Sequence, residues 1–96
     1  MPLDRVLQEK RNAILEIAAL HGATNVRVFG SVARGDDDGS SDIDLLVEFA
    51  PGVGLLRHGA LVRELEALLG RKVDVISDRG LRPRIRQRVL MEAVPL

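Results

Sequence analysis

The spacing of apolar residues along the chain switches between a helical and a strand period. Leu3, Val6, Leu7, Ile14, Ile17 and Ala18 recur at helical spacing, with Arg5, Glu9, Lys10 and Arg11 mostly elsewhere on the wheel. The pattern predicts one amphipathic helix, closed at Gly22. Asn25 to Phe29 alternates and reads as a first strand, and Gly30-Ser31 turns it into a short helix. Gly35 to Ser41 contains three aspartates, two glycines and two serines, which is loop composition. Ile43 to Phe49 is a second strand, and its unbroken Leu45-Leu46-Val47 run fits a central position covered on both faces. After a break at Ala50 to Gly54, Leu61, Val62, Leu65, Leu68 and Leu69 mark a long helix ending at Gly70. Lys72 to Ser77 forms a third strand. Pro83 suits the first turn of a last helix through about Ala93, with Ile85, Val89 and Ala93 as its packing stripe. The apolar tail Ala93-Val94-Pro95-Leu96 either frays or lies on a partner.

The expected fold is α/β (α+β): one domain over residues 1–96, with a small mixed three-stranded sheet flanked by helices in the order α-β-α-β-α-β-α. A helical crossover makes strands two and three parallel neighbours. Their starting ends then share one sheet edge, and Asp74, early in strand three, falls beside Asp42 and Asp44.

Composition narrows the chemistry. The 96 residues include no cysteine, which excludes disulfides and thiolate sites and suits a cytoplasmic setting. Fourteen basic residues balance fourteen acidic ones, and both aromatics are Phe. Direct binding of long nucleic acid is therefore not expected, either by net charge or by base stacking. No apolar stretch reaches the roughly 20 residues of a membrane span.

Asp42 and Asp44 stand at i and i+2 before a buried run, so both project from one face, with Cα atoms roughly 6.5 Å apart. Ionised groups heading an apolar strand repel each other, and hard cations such as Mg²⁺ relieve that repulsion. The bland alternative is a polar strand start; for Asp74 it is a solvent-facing strand end. Gly30-Ser31 falls where free backbone N–H groups suit phosphate, although such turns are commonly structural. Arg34, three residues on, either reaches a triphosphate or is an ordinary surface arginine. Asp36, Asp37 and Asp38 fail the EF-hand spacing and read as a solvated loop rim. His21 is expected as a helix-end cation and His58 as a surface residue. Arg79, Arg82, Arg84, Arg86 and Arg88 make the last helix basic: a solvated face, or a docking surface for an acidic partner or partner-bound RNA.

Gly30-Ser31, ten intervening residues, Asp42-x-Asp44 and the later Asp74 resemble the signature of the DNA-polymerase-beta-type nucleotidyltransferase superfamily. Gly-Ser-Val-Ala-Arg-Gly and Ser-Asp-Ile-Asp-Leu-Leu-Val resemble its minimal nucleotidyltransferase (MNT) branch, and nearly the whole chain is covered. The resemblance implies that Asp42, Asp44 and Asp74 bind two Mg²⁺, with Asp74 as the candidate base, and that Gly30 and Ser31 hold the nucleotide phosphates. It further implies an antitoxin that transfers AMP from ATP to a tyrosine hydroxyl of a HEPN-family RNase toxin; the sequence leaves open whether the chain forms a homo- or hetero-oligomer. Two other readings stand beside it: a non-catalytic antitoxin that inhibits HEPN by contact, and a nucleotidyltransferase acting on a small molecule.

Overall fold

A computed structural model describes residues 5–36 and 42–96. Leu3, Asp37 and Asp38 lie outside the described residues. The elements are α1 (Arg5–Glu9), α2 (Arg11–Leu20), β1 (Ala23–Phe29), α3 (Gly30–Arg34), β2 (Ile43–Phe49), α4 (Leu55–Leu69), β3 (Val73–Ser77), α5 (Pro83–Glu92) and β4 (Val94–Pro95). A short 3-10 turn, Asp78–Gly80, links β3 to α5.

The opening helix is interrupted, where a single one was expected. Lys10 sits between α1 and α2 at φ −100°, and its Nζ donates to the Leu68 carbonyl at 3.1 Å. That carbonyl belongs to the last turn of α4, where a cation satisfies an otherwise unpaired acceptor. The break thus ties the first helices to α4. His21 caps α2 and pairs with Glu64 of α4.

The sheet has four strands in the order β3-β2-β1-β4, one more than expected. β2 is central, parallel to β3 and antiparallel to β1. The added strand is the C-terminal tail, antiparallel to β1 through Arg27↔Pro95 and Val28↔Val94, with the Leu96 N–H donating to Val26 O at 3.0 Å. Two paired residues lie below the length that propensity reveals, and the proline is tolerated because the strand is at an edge. The tail covers an edge that would otherwise be open.

Alternation along β2 sends side chains to two cores. Ile43, Leu45 and Val47 join Leu7, Ile14, Ala18, Leu61, Leu65 and Val75 in the larger one, under α1, α2 and α4. Leu46 faces the other way, with Leu81 and Val89 and with Phe29, Ile76 and Ala93 packed around them. Burial on both faces is why the Leu45-Leu46-Val47 run in β2 is apolar without interruption. On α5, Val89 is 8% exposed, whereas Ile85 is 46% exposed; the expected stripe therefore loses Ile85, and Leu81, ahead of the helix, takes its place. His58 also departs from expectation. Its Nε2 lies 2.8 Å from the Val75 carbonyl and its ring is 5.1 Å from that of Phe49, so it helps lock α4 onto the sheet.

Candidate active site

Asp44 and Asp74 are partners in the parallel register of β2 and β3, and neighbouring strands lie about 4.8 Å apart. Side chains two residues along, Leu46 and Ile76, belong to the core beneath α5. By the same period both carboxylates sit on the α5 side of the sheet. Asp42 immediately precedes β2 and is exposed, as is Asp74, whereas Asp44 is half-buried.

Asp44 is the electrostatic centre of this rim. Burial pushes its carboxyl above the ordinary aspartate range, and the charges of Asp74 and then Asp42 push it further. Arg34 offsets part of this, and Glu92 adds to it. The three sequence-selected aspartates therefore occupy one rim and act on one another. They do not form a closed cage: among the described residues, no three His, Cys, Asp or Glu side chains are grouped tightly enough to hold a metal. The donor set nevertheless fits a hard divalent cation. It consists of carboxylate oxygens only, and its central member is strained by burial and by like charge, both of which a cation relieves.

The Gly30-Ser31 turn lies over the same carboxylate. Phe29 is opposite Asp44 in the antiparallel register of β1 and β2, which carries the next residue, Gly30, across the Asp44 side chain. Gly30 has φ +76°, and a Cβ there would lie 2.2 Å from Asp44 Oδ2. Only glycine satisfies both the left-handed backbone and the close approach. Ser31 is the second residue of α3 and is half-buried.

Arg34, at the end of α3, donates from Nε to Asp36 Oδ2 at 3.0 Å and from Nη1 to Glu92 Oε1. These two hydrogen bonds, Asp36 first, raise its pKa and keep the guanidinium charged. Glu92 is the site residue that sequence reasoning missed. It is the last residue of α5, 58 positions from Arg34, and no local pattern marks it. Of the aspartate-rich loop, Asp36 is an ion-pair partner of Arg34.

Residues 10–96 match the family described as Nucleotidyltransferase domain. The chain belongs to that family. Its activity is accordingly nucleotidyl transfer. The nucleotidyltransferase is 41% identical over 88 residues to the candidate protein adenylyltransferase MJ0435 of Methanocaldococcus jannaschii, covering 92% of this chain and 95% of that one. It is 39% identical over 79 residues to the protein adenylyltransferase MntA of Thermococcus cleftensis, covering 82% and 80%. A solved structure described as a candidate minimal nucleotidyltransferase superimposes with a TM-score of 0.85 at 56% identity, over 94% of this chain and 92% of that one. At 21% identity, a complex of the tri-AMPylated Shewanella oneidensis HEPN toxin with its MNT antitoxin shares the fold. Its TM-score is 0.70, over 92% of this chain and 69% of the other. No helix among the described residues is long and apolar enough to cross a membrane.

Proposed function

We propose that this nucleotidyltransferase is a Mg²⁺-dependent protein adenylyltransferase that transfers AMP from ATP to a tyrosine hydroxyl of a HEPN RNase toxin and thereby acts as its antitoxin. The observation that carries the reading is the Asp44↔Asp74 register beneath the Gly30-Ser31 turn. It joins an acidic rim to a close-approach backbone turn at one end of one strand pair. The names of the MntA relative and of the AMPylated toxin complex supply the class of acceptor.

Asp42, Asp44 and Asp74, which face one rim without closing on a common point, would supply the carboxylates that two Mg²⁺ ions draw together. When bound, these ions offset phosphate charge and lower the pKa of an acceptor hydroxyl. The rest falls to the chain's own groups. Without a Cβ, Gly30 lets the turn pass close over Asp44, and the Ser31 hydroxyl donates to the phosphates. Arg34 brings a permanent positive charge to the leaving pyrophosphate. Asp74, solvent-exposed at the rim, accepts the tyrosine proton. The tyrosine oxygen forms a bond to the α-phosphorus as the bond from that phosphorus to the bridging oxygen breaks, and pyrophosphate leaves with that oxygen.

The test is incubation with α-labelled ATP, Mg²⁺ and a purified HEPN protein from the same genome. Label on a HEPN tyrosine, lost with Asp44→Asn, is the expected result. Tight association without label identifies a contact inhibitor instead, and label on a small metabolite identifies a small-molecule enzyme.

A further inference from the structure

Arg84, Gln87, Arg88 and Met91 recur at helical spacing on α5, and with Arg34 and Glu92 they line a groove of about 650 Å³. Among the described residues, Arg34 and Glu92 lie outside the aspartate rim and their charges reach Asp44, so the groove opens next to the rim carboxylates. A second, more apolar groove of about 370 Å³ runs beside it, lined by Pro83, Arg86, Gln87, Leu90 and Met91. The two share Gln87 and Met91 and together form one continuous face.

The charge of this face is one-sided. Between Arg79 and Met91 the sequence has five arginines and no acid. Among the described residues no carboxylate pairs with Arg82, Arg84, Arg86 or Arg88. Arg86 is held in place by donating to the Asp78 carbonyl at 2.7 Å. Unpaired arginines crowded on one helix repel one another, and that repulsion is relieved by an acidic occupant. Interleaved apolar side chains are also exposed, Met91 at 81% and Ile85 at 46%. The chain has no Trp or Tyr and only two Phe, one packed in the α5-side core and the other against His58. A nucleic acid would therefore find phosphate contacts but no stacking platform.

We propose that this face of α5 is the acceptor-docking surface, and that it takes an acidic protein segment carrying at least one apolar side chain. Arg84 and Arg88 pair with its carboxylates, the groove beside Leu90 and Met91 takes the apolar residue, and the acceptor hydroxyl is delivered past Arg34 to the aspartate rim. The identity of the delivered hydroxyl rests on the reading of the preceding subsection; the docking chemistry does not.

The experiment uses the full chain and three fluorescent probes without nucleotide: a tyrosine peptide flanked by glutamates with one leucine, the same peptide flanked by lysines, and an oligouridine strand. Anisotropy is expected to show binding of the acidic peptide at least tenfold tighter than either of the others. That binding should weaken with salt and fall at least tenfold in Arg84→Glu/Arg88→Glu. The milder Arg84→Gln/Arg88→Gln pair controls for folding and should show an intermediate loss at an unchanged melting temperature. Equal binding of both peptides, or insensitivity to both variant pairs, overturns the proposal. Oligouridine binding as tight and equally sensitive assigns the face to RNA and overturns it as well. Acidic-peptide binding with no subsequent AMP transfer, to it or to HEPN, leaves the surface standing and removes the tyrosine-acceptor reading. Transfer to HEPN that survives charge reversal does the opposite.

Discussion

Asp44 is held at an electrostatic disadvantage that a bound cation relieves. Its pKa is raised by burial first and by Asp74 and Asp42 next. The folded chain therefore binds a proton more tightly than the unfolded chain does. Stability of the metal-free protein must then fall as pH rises from the ordinary aspartate value through the raised one, and the full cost persists above it. Melting temperatures in chelator across the carboxylate range test this, and added Mg²⁺ should reverse the trend by binding the folded state. Asp44→Asn removes the ionised group, so its melting temperature should be higher than wild type in chelator, while transfer drops by at least about 10³-fold. Gly30→Ala should do the reverse of a benign substitution. Its methyl meets Asp44 Oδ2 and its backbone is left-handed, so we expect a loss of about 1–3 kcal/mol in denaturant melts together with loss of transfer.

At the level of elements, β2 does two jobs through one alternation. Leu45 is fully buried in the larger core and Leu46 in the smaller, and Asp44 emerges on the Leu46 side. Leu45→Ala should cost about 2–5 kcal/mol by calorimetry or urea melts, since few neighbours can move into the space. The short β4 is a second lever. Removing residues 94–96 uncovers the β1 edge and frees the end of α5, where Glu92 holds Arg34. The expected results are a lower melting temperature and a raised KM for ATP, because Arg34 loses its anchor. Loss of stability alone, with KM unchanged, would confine β4 to edge protection.

For the molecule as a whole, the acidic rim lies where four separate stretches meet. The turn after β1, the heads of β2 and β3, and the end of α5 all reach it, though Arg34 and Glu92 are 58 residues apart. This sets the acidic rim beside the basic face of α5, with Arg34 and Glu92 both lining the α5 groove and acting on Asp44. Among the described residues the counter-charges to Arg34 are Asp36 and Glu92. Glu92→Gln should therefore loosen Arg34 and change the ATP dependence of transfer while leaving the fold intact by circular dichroism.

What the chain determined by itself is whatever has a short period. Strand alternation put Asp42 and Asp44 on one face, an unbroken apolar run made β2 central, and a crossover helix made β3 its parallel neighbour, so Asp74 was legible beside the pair. Long-range packing decided the rest. Where the first helix is interrupted, Lys10 reaches a carbonyl of α4. Residues 94–95 become a strand because β1 has a free edge. Glu92 enters the site because Val89 and Leu81 dock α5 over Leu46. Each of those depends on a partner distant in sequence, and local propensity carries no information about such a partner.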